Sequence, residues 1–252
     1  MYSPTLIHVP HSSREIPEDI ELKLHGAGLQ RELDCMTDHL CDSLFASRHE
    51  QIRFPVSRLV CDPERFRSDS DETMAKCGMG AVYSCTSKGK VLRNISESQR
   101  EDILRRFYDP HHAIFTKAVS RRIMDFGKCL IIDGHSFSSV PLDYEEDKRR
   151  ERPDFCIGSD SFHTPPELIS MVASFLLNQG YTVGLNRPYA GAIVPIQYYR
   201  KDGRVVSIMI EVNRRLYVTK EGNPTKDYDK TKTCIVKLIS MLASGISMIS
   251  TA

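Results

Sequence analysis

The chain has 252 residues, of which 40% are hydrophobic and 27% charged, a balance typical of a globular protein with a substantial core. The formal net charge of +1 lacks the basic excess that nucleic-acid-binding proteins use to neutralise phosphates, so we expect no nucleic-acid partner. The 8 cysteines are scattered without a CxxC pair, which favours reduced thiols and a cytoplasmic location. No repeat or low-complexity linker interrupts the sequence, and we predict a single domain over residues 1–252.

The two ends of the chain lack the patterns of a targeting or membrane segment. The first residues, MYSPTLIHVPHSS, have no basic region followed by an apolar core, so we expect no signal peptide. Residues 238–252 are uncharged but fall short of the roughly 20 apolar residues that a membrane span needs. We therefore predict an amphipathic terminal helix with a short tail, and no membrane partner.

Short apolar runs alternate with longer segments of helical period, which is the pattern of an α/β protein. In chain order, strands are predicted at residues 5–9, 51–62 (one or two strands), 129–133, 154–158, 181–185 and 205–212. Helices are predicted at residues 32–46, 96–125 with a kink at Asp109-Pro110, 166–179 and 226–243. The stretch 63–93 has no clear period, and long irregular connections in compact domains are usually functional or mobile.

Three predicted strands end in residues with catalytic chemistry. His11 follows the first strand, His135 follows CLIID, and Glu211 ends SIMIE. Ligands in open α/β sheets gather beyond the carboxyl ends of the strands, so these side chains could share one crevice. Two histidines with a nearby carboxylate form the ligand set of a catalytic zinc. Taken singly, each histidine is more often a hydrogen-bonded loop residue.

The carboxylate ligand could come from the predicted helix 32–46. Glu32, Asp34 and Asp38 are the candidates, and the i, i+4 spacing of Asp34 and Asp38 would put them on one face. A metal site needs only one of them. Alternatively, these acids form a solvated helix face.

Glu211 lies inside an apolar strand pattern, where a charge is costly to bury unless it is paired or used. Beside a metal, such a carboxylate can take a proton from bound water and deliver it to a leaving amine. The alternative is an edge-strand carboxylate paired with Arg214 or Arg215.

Two further segments suit an amino-acid-like substrate, because arginine binds carboxylates with paired hydrogen bonds. These candidate substrate-binding residues are Arg58, Arg65, Asn186 and Arg187.

Taken together, the sequence resembles the N-formylglutamate amidohydrolase family from about residue 5 to residue 217. The matching blocks, in order, are HVPHSS, ELDCMTDHL, FPVSRLVCDPERF, GMGAVYSCTSKGKVLR, YDPHHAIF, IIDGHS, LNRPYAGA and IEVNRRLY. The resemblance implies a three-layer αβα fold with a mixed, mostly parallel sheet, related to the zinc carboxypeptidases. It implies a zinc hydrolase that cleaves N-formyl-L-glutamate to formate and glutamate in histidine degradation.

By this resemblance the metal ligands are His11, Asp34 and His135, with Asp38 as the second choice for the acidic position. Glu211 matches the position of the general base. The residues that match substrate-facing motifs are Arg65 and Asn186, together with His112, which could bind substrate or only order its helix. Asp133 and Ser136 flank His135 and are expected to orient it.

The sequence departs from the family pattern at three positions in these motifs. Ser13 and Ala192 stand where glycine is usual, and Glu64 replaces the asparagine of the family's DLNR motif. These changes affect loops expected to face the substrate, so the acyl amino acid is an open question. The alternatives are a related zinc enzyme acting on another N-acyl amino acid or peptide, and a non-catalytic amino-acid-binding relative. A site of histidines and carboxylates also accepts manganese, iron or cobalt in place of zinc.

Overall fold

A computed structural model describes residues 2–145 and 147–246 of the chain. Its centre is a six-stranded sheet with the order β2-β1-β3-β6-β4-β5. The strands are β1 (Thr5–Val9), β2 (Glu50–Arg53), β3 (Cys129–Phe137), β4 (Phe155–Gly158), β5 (Val183–Leu185) and β6 (Val205–Asn213). Neighbouring strands are parallel except for the antiparallel pair of β4 and β6. The predicted α/β fold with a mixed, mostly parallel sheet is confirmed.

Helices cover both faces of the sheet. They are α1 (Gly26–Met36), α2 (Cys41–Leu44), α3 (Glu97–Ile103), α4 (Asp109–Phe126), α5 (Pro166–Asn178) and α6 (Tyr228–Gly245). Successive side chains of a strand point to opposite faces. Leu130 and Ile132 of β3 accordingly pack in the core with α2, α5 and α6, whereas Cys129 and Ile131 pack in the core with α4.

The predicted helix over 32–46 is two shorter helices. Most of the apolar residues that give this segment its helical period are buried, but α1 ends at Met36 and α2 begins at Cys41. Between them the chain turns at Leu40, whose φ of 57° is left-handed and incompatible with a continuous helix. Periodicity detected the burial of these residues and missed the turn.

Two other boundaries differ from the sequence prediction. Strand β3 continues from the predicted Asp133 end to Phe137, so His135 lies within the strand. The segment 51–62 contributes only the strand β2, which ends at Arg53, and the Phe54 N–H makes one further hydrogen bond to Val9 of β1.

The predicted helix over 96–125 is confirmed in most of its length. Ser96 and Gln99 form the expected capping box at the start of α3. A π-helical turn, Leu104–Tyr108, joins α3 to α4, which begins at the expected Asp109-Pro110 position. A π turn adds a residue without ending the helix, so Pro110 falls in the first turn of α4, where it is tolerated.

The C-terminal helix α6 packs its buried residues against the sheet and ends at Gly245. The rest of the predicted terminal helix and tail, from residue 247 onward, lies outside the described residues. Within the described part of the chain, no helix combines the length and apolar character that crossing a bilayer requires.

Candidate active site

The sheet brings together the three residues that the sequence placed at strand ends. Strands β1, β3 and β6 are adjacent and parallel. His11 lies two residues beyond the end of β1, and His135 and Glu211 are paired in register on β3 and β6. All three side chains are buried, with exposed fractions of 2%, 3% and 7% respectively. They line a cleft of about 800 Å³ above the carboxyl ends of these strands.

Asp38 and Glu64 lie on either side of the two histidines. The Asp38 Oδ2 atom is 3.1 Å from His135 Nδ1 and 3.7 Å from His11 Nδ1. The Glu64 Oε2 atom is 3.2 Å from His135 Nε2 and 4.0 Å from His11 Nδ1. His11, Glu64 and His135 each offer a ligand atom within 4.8 Å of the other two.

The structure does not bring Asp34 to the histidines, which corrects the acidic position expected from sequence. The Asp34 carboxylate accepts hydrogen bonds from Arg14, at 2.8 Å, and from Gln30, at 3.0 Å. Because α1 ends at Met36, Asp34 and Asp38 do not share a helix face, and only Asp38 turns into the cleft.

The ligand atoms at this centre are buried and poorly satisfied. Among the described residues, His11 Nδ1 and His135 Nε2 have no hydrogen-bond partner, and neither has Oε1 of Glu64, the carboxylate oxygen that does not face His135. Buried polar atoms without partners are rare and call for an explanation, such as an ion. Two imidazoles with carboxylates at these separations fit the nitrogen and oxygen donors that zinc or a similar divalent ion takes.

The charges around His135 favour a cation at this position. Burial opposes protonation of the imidazole, yet the carboxylates of Glu64 and Asp133 raise the pKa of His135 well above its ordinary value. A bound divalent ion would meet the same requirement for positive charge. Asp133 and Ser136 contact the centre as expected, since Asp133 Oδ1 lies 3.1 Å from His135 Nε2 and Ser136 donates to Asp38 at 3.3 Å.

Asp62 holds the other ring nitrogen of His11. Its Oδ1 is 2.9 Å from His11 Nε2, while Oδ2 accepts hydrogen bonds from Arg58 at 2.7 Å and from the Tyr83 hydroxyl at 2.7 Å. Burial alone would raise the pKa of Asp62, but Arg58 and His11 hold it well below the ordinary value. A carboxylate in this position fixes the ring so that Nδ1 points into the cleft.

Arg214 orients Asp38, as Asp62 orients His11. Its Nη2 donates to Asp38 Oδ1 at 3.1 Å and its Nε donates to Ser136 Oγ at 3.1 Å. The alternative interpretation of Glu211 was an edge-strand carboxylate in an ion pair with Arg214 or Arg215. Arg214 instead binds Asp38 and Ser136. Arg215 is also engaged elsewhere, with Asp154 at 2.7 Å.

Glu211 has the environment of a proton acceptor rather than of a structural ion pair. Its Oε2 atom has no hydrogen-bond partner within the described part of the chain. Burial raises the pKa of Glu211 to about 8, which the positive charge of His135 partly offsets. A carboxylate whose pKa lies close to neutral pH can both accept and return a proton.

Of the predicted substrate-binding residues, three line the cleft. Arg58, Arg65 and His112 face it, and the Arg65 Nε atom is buried without a hydrogen-bond partner among the described residues. Asn186 and Arg187 do not line it. Asn186 bonds to Ser159 instead, and Arg187 is half-exposed.

The segment LNRPYAGA still reaches the cleft through other residues. The peptide bond Arg187-Pro188 is cis, and the chain that follows it runs along the cleft. The lining residues from this segment are Tyr189, Ala190, Gly191 and Ala192. The predicted loop therefore lines the cleft, but not through Asn186 and Arg187, because the direction of a side chain in a turn depends on backbone geometry.

Comparison with known families decides the membership of this chain. The family model for N-formylglutamate amidohydrolase matches residues 3–218, most of the chain. The protein belongs to the N-formylglutamate amidohydrolase family. No curated protein matched the sequence.

Two solved structures share the fold. The N-formylglutamate amidohydrolase from Ralstonia eutropha JMP134 superposes with a TM-score of 0.85 at 22% identity, covering 98% of this chain and 95% of that one. The gene product Atu2144 from Agrobacterium tumefaciens superposes with a TM-score of 0.70 at 19% identity, covering 97% and 92% of the two chains. At these identities the likeness establishes the fold.

Sequence reasoning did not assign three residues to this candidate site: Asp62, Glu64 and Arg214. Asp62 and Glu64 belong to the DPER segment, and the signal available for them was that this segment departs from the family's DLNR motif at its two middle positions. Arg214 lies three residues beyond Glu211, close enough in sequence to be considered as its ion partner. Its actual partner, Asp38, is distant in sequence.

Proposed function

We propose that this protein is a metal-dependent amidohydrolase that removes the N-formyl group from N-formyl-L-glutamate, giving formate and glutamate. Membership of the family supports the reaction class. The observation that carries the proposal for the site is the pair of buried imidazoles, His11 and His135, which lie close to Glu64 and near Glu211. Among the described residues, His11 Nδ1, His135 Nε2 and Glu211 Oε2 have no hydrogen-bond partner. The ion that best suits this donor set is zinc.

His11 and His135 would hold the ion together with Asp38 or Glu64. When bound, a divalent ion supplies Lewis acidity, which lowers the pKa of water from about 16 towards 7 and polarises a carbonyl group. Asp62 keeps the His11 ring oriented, and Arg214 keeps Asp38 oriented, so the ligands are in place before substrate arrives.

Glu211 moves the proton. Its Oε2 accepts a proton from the attacking water and then delivers it to the nitrogen of the departing glutamate. The paired strands β3 and β6 hold this carboxylate next to His135, so the transfer needs no rearrangement of the backbone. Arginine side chains of the cleft bind the substrate carboxylates, and Arg65 is the best candidate because it lines the cleft and its Nε has no hydrogen-bond partner among the described residues, although Asp62 lies 3.9 Å from it.

This reaction would place the protein in the degradation of histidine in the cytoplasm. The residue changes in the substrate-facing loops, Ser13, Glu64 and Ala192, make the acyl amino acid the part of the proposal that most needs a test. A close relative of the substrate, such as another N-acyl amino acid, would use the same centre.

The test joins metal analysis to a product assay. The purified protein is analysed for bound metals, and formate and free amine are then measured with N-formylglutamate, N-formylaspartate and N-acetylglutamate. We expect a divalent ion and the fastest formate release from N-formylglutamate. Turnover of only another substrate would reassign the specificity, and a folded, metal-free protein without turnover would favour the binding-protein alternative.

A further inference from the structure

The two carboxylate oxygens of Glu64 face two different groups of buried ligands. Oε2 lies 3.2 Å from His135 Nε2, in the centre described above. Oε1 lies 3.6 Å from the Nδ1 atom of His8, on the other side of the carboxylate. Oε1 is buried and has no hydrogen-bond partner among the described residues.

His8, Glu64 and Asp133 form a second group whose ligand atoms all lie within 4.8 Å of one another. His8 is on β1 and Asp133 is on β3, and the two residues are paired in register, with His8 Nδ1 at 2.8 Å from Asp133 Oδ1. His8 is 0% exposed and Asp133 is 1% exposed. The histidine ring is stacked on Phe115 at a centroid distance of 4.7 Å, so its direction is fixed by packing.

We propose that Glu64 bridges two divalent cations, one bound with His11 and His135 and the other bound by His8 and Asp133. This inference rests on the proposed metal-dependent function, because the first cation is the one that function requires. Two-metal hydrolytic sites hold their ions about 3.5–4 Å apart, a spacing that one bridging carboxylate spans. Imidazole and carboxylate donors suit zinc, manganese, iron or cobalt.

The hydrogen bonds of His8 allow its Nδ1 to bind a metal. Its Nε2 lies 3.0 Å from His111 Nε2, and one proton must lie between these two nitrogens. When this proton is on His8 Nε2 and forms a hydrogen bond to His111 Nε2, the other ring nitrogen of His8, Nδ1, has a free lone pair directed towards Asp133 and Glu64. A metal-binding histidine usually donates its other N–H in this way, which fixes the tautomer.

A backbone hydrogen bond holds Glu64 close to the first group of ligands, which supports its role as the bridging carboxylate. Its backbone N–H donates to Asp62 Oδ1 at 3.0 Å, and the same oxygen accepts from His11. Asp62 thus orients a ligand of the first cation and the segment that carries the bridging carboxylate. An amide at position 64 could not supply two anionic oxygens, so the second cation would depend on the glutamate of this chain.

The test counts metal ions in the folded protein. The purified protein is dialysed against excess Mn²⁺, desalted and analysed for manganese per chain, and its electron paramagnetic resonance spectrum is recorded. We expect two ions per chain with a spin-coupled spectrum. In His8→Gln we expect one ion per chain with the spectrum of an isolated Mn²⁺, and in Glu64→Gln no more than one ion.

Asp34→Asn is the matched control, because it removes a nearby carboxylate that does not face either group, and it should retain two ions. The wild-type protein decides the question even if a variant fails to fold. One ion per chain without spin coupling would overturn the second site and leave the proposed function standing. No bound ion would overturn both proposals.

Discussion

Glu211 lies directly beside His135 on the neighbouring strand, since the two residues are paired in register on β6 and β3. A shift of one residue in this pairing would turn one of the side chains to the opposite face of the sheet. Both residues are buried, and the backbone hydrogen bonds of two central strands fix their relative position. The distance between Glu211, the proposed proton acceptor, and His135, a proposed metal ligand, is thereby set by the sheet, without reliance on a mobile loop.

The first prediction concerns Glu211→Gln. If Glu211 carries the proton, this variant should lose about 10²- to 10⁴-fold in kcat for formate release. Because burial raises the pKa of Glu211 to about 8, the neutral amide removes no favourable buried ion pair. We therefore expect the metal content and the thermal unfolding midpoint to stay at wild-type values or above. Wild-type turnover in the variant would remove Glu211 from the mechanism.

The second prediction concerns the carboxylate that orients His11. Asp62→Asn weakens the contact with His11 Nε2 and should lower metal affinity by about 10- to 100-fold, the range found for partners of metal ligands. Affinity can be measured by competition with a chromophoric chelator. Asp34→Asn serves as the comparison, because Asp34 pairs with Arg14 away from the histidines. Equal affinities in the two variants would contradict the role assigned to Asp62.

The order of strands and helices was predictable because apolar runs and helical stripes report burial directly. In the predicted helix over 32–46, the helical spacing of Leu33, Met36, Leu40, Leu44 and Phe45 indicated one buried stripe, and all of them are buried except Leu40, which is half-buried. The left-handed turn at Leu40 was not predictable, because leucine has no preference for that conformation and tertiary packing imposes it. A different feature separates the two acids: α1 ends at Met36, Thr37 is extended, and the chain then carries Asp38 into the cleft while Asp34 stays on the helix.

The residues of the candidate site that lie on strands or at strand ends could be predicted from the sequence. The residues that lie in the irregular loop after β2 could not. His11, His135 and Glu211 were found because parallel strands present their carboxyl ends at one edge. Asp62 and Glu64 come from a loop without periodicity, and no sequence pattern states where such a loop folds back. Their contacts with His11 could be identified only from the three-dimensional structure.

The third prediction separates two arginines that the sequence treated alike. Arg65 lines the cleft, and its Nε has no hydrogen-bond partner within the described part of the chain, so Arg65→Met should raise KM for N-formylglutamate about tenfold or more, the effect of losing a charged hydrogen bond. Arg187 is half-exposed and lies 3.5 Å from Asp147, so Arg187→Met should leave KM unchanged. Steady-state kinetics on both variants provide the comparison. A larger effect at Arg187 would restore the assignment made from sequence.

The last prediction concerns the pH dependence of stability. Burial lowers the pKa of His112 to about 4, whereas the unfolded chain takes up this proton near 6.5. The unfolded state therefore binds more protons between these values, so stability is fully present above about pH 6.5 and falls as the pH drops towards about 4. In His112→Gln, the loss of unfolding free energy between about pH 7 and about pH 5 should be smaller by up to about 2 kcal/mol. Urea denaturation at the two pH values measures this difference, and an identical loss in both proteins would show that His112 is not protonated on unfolding.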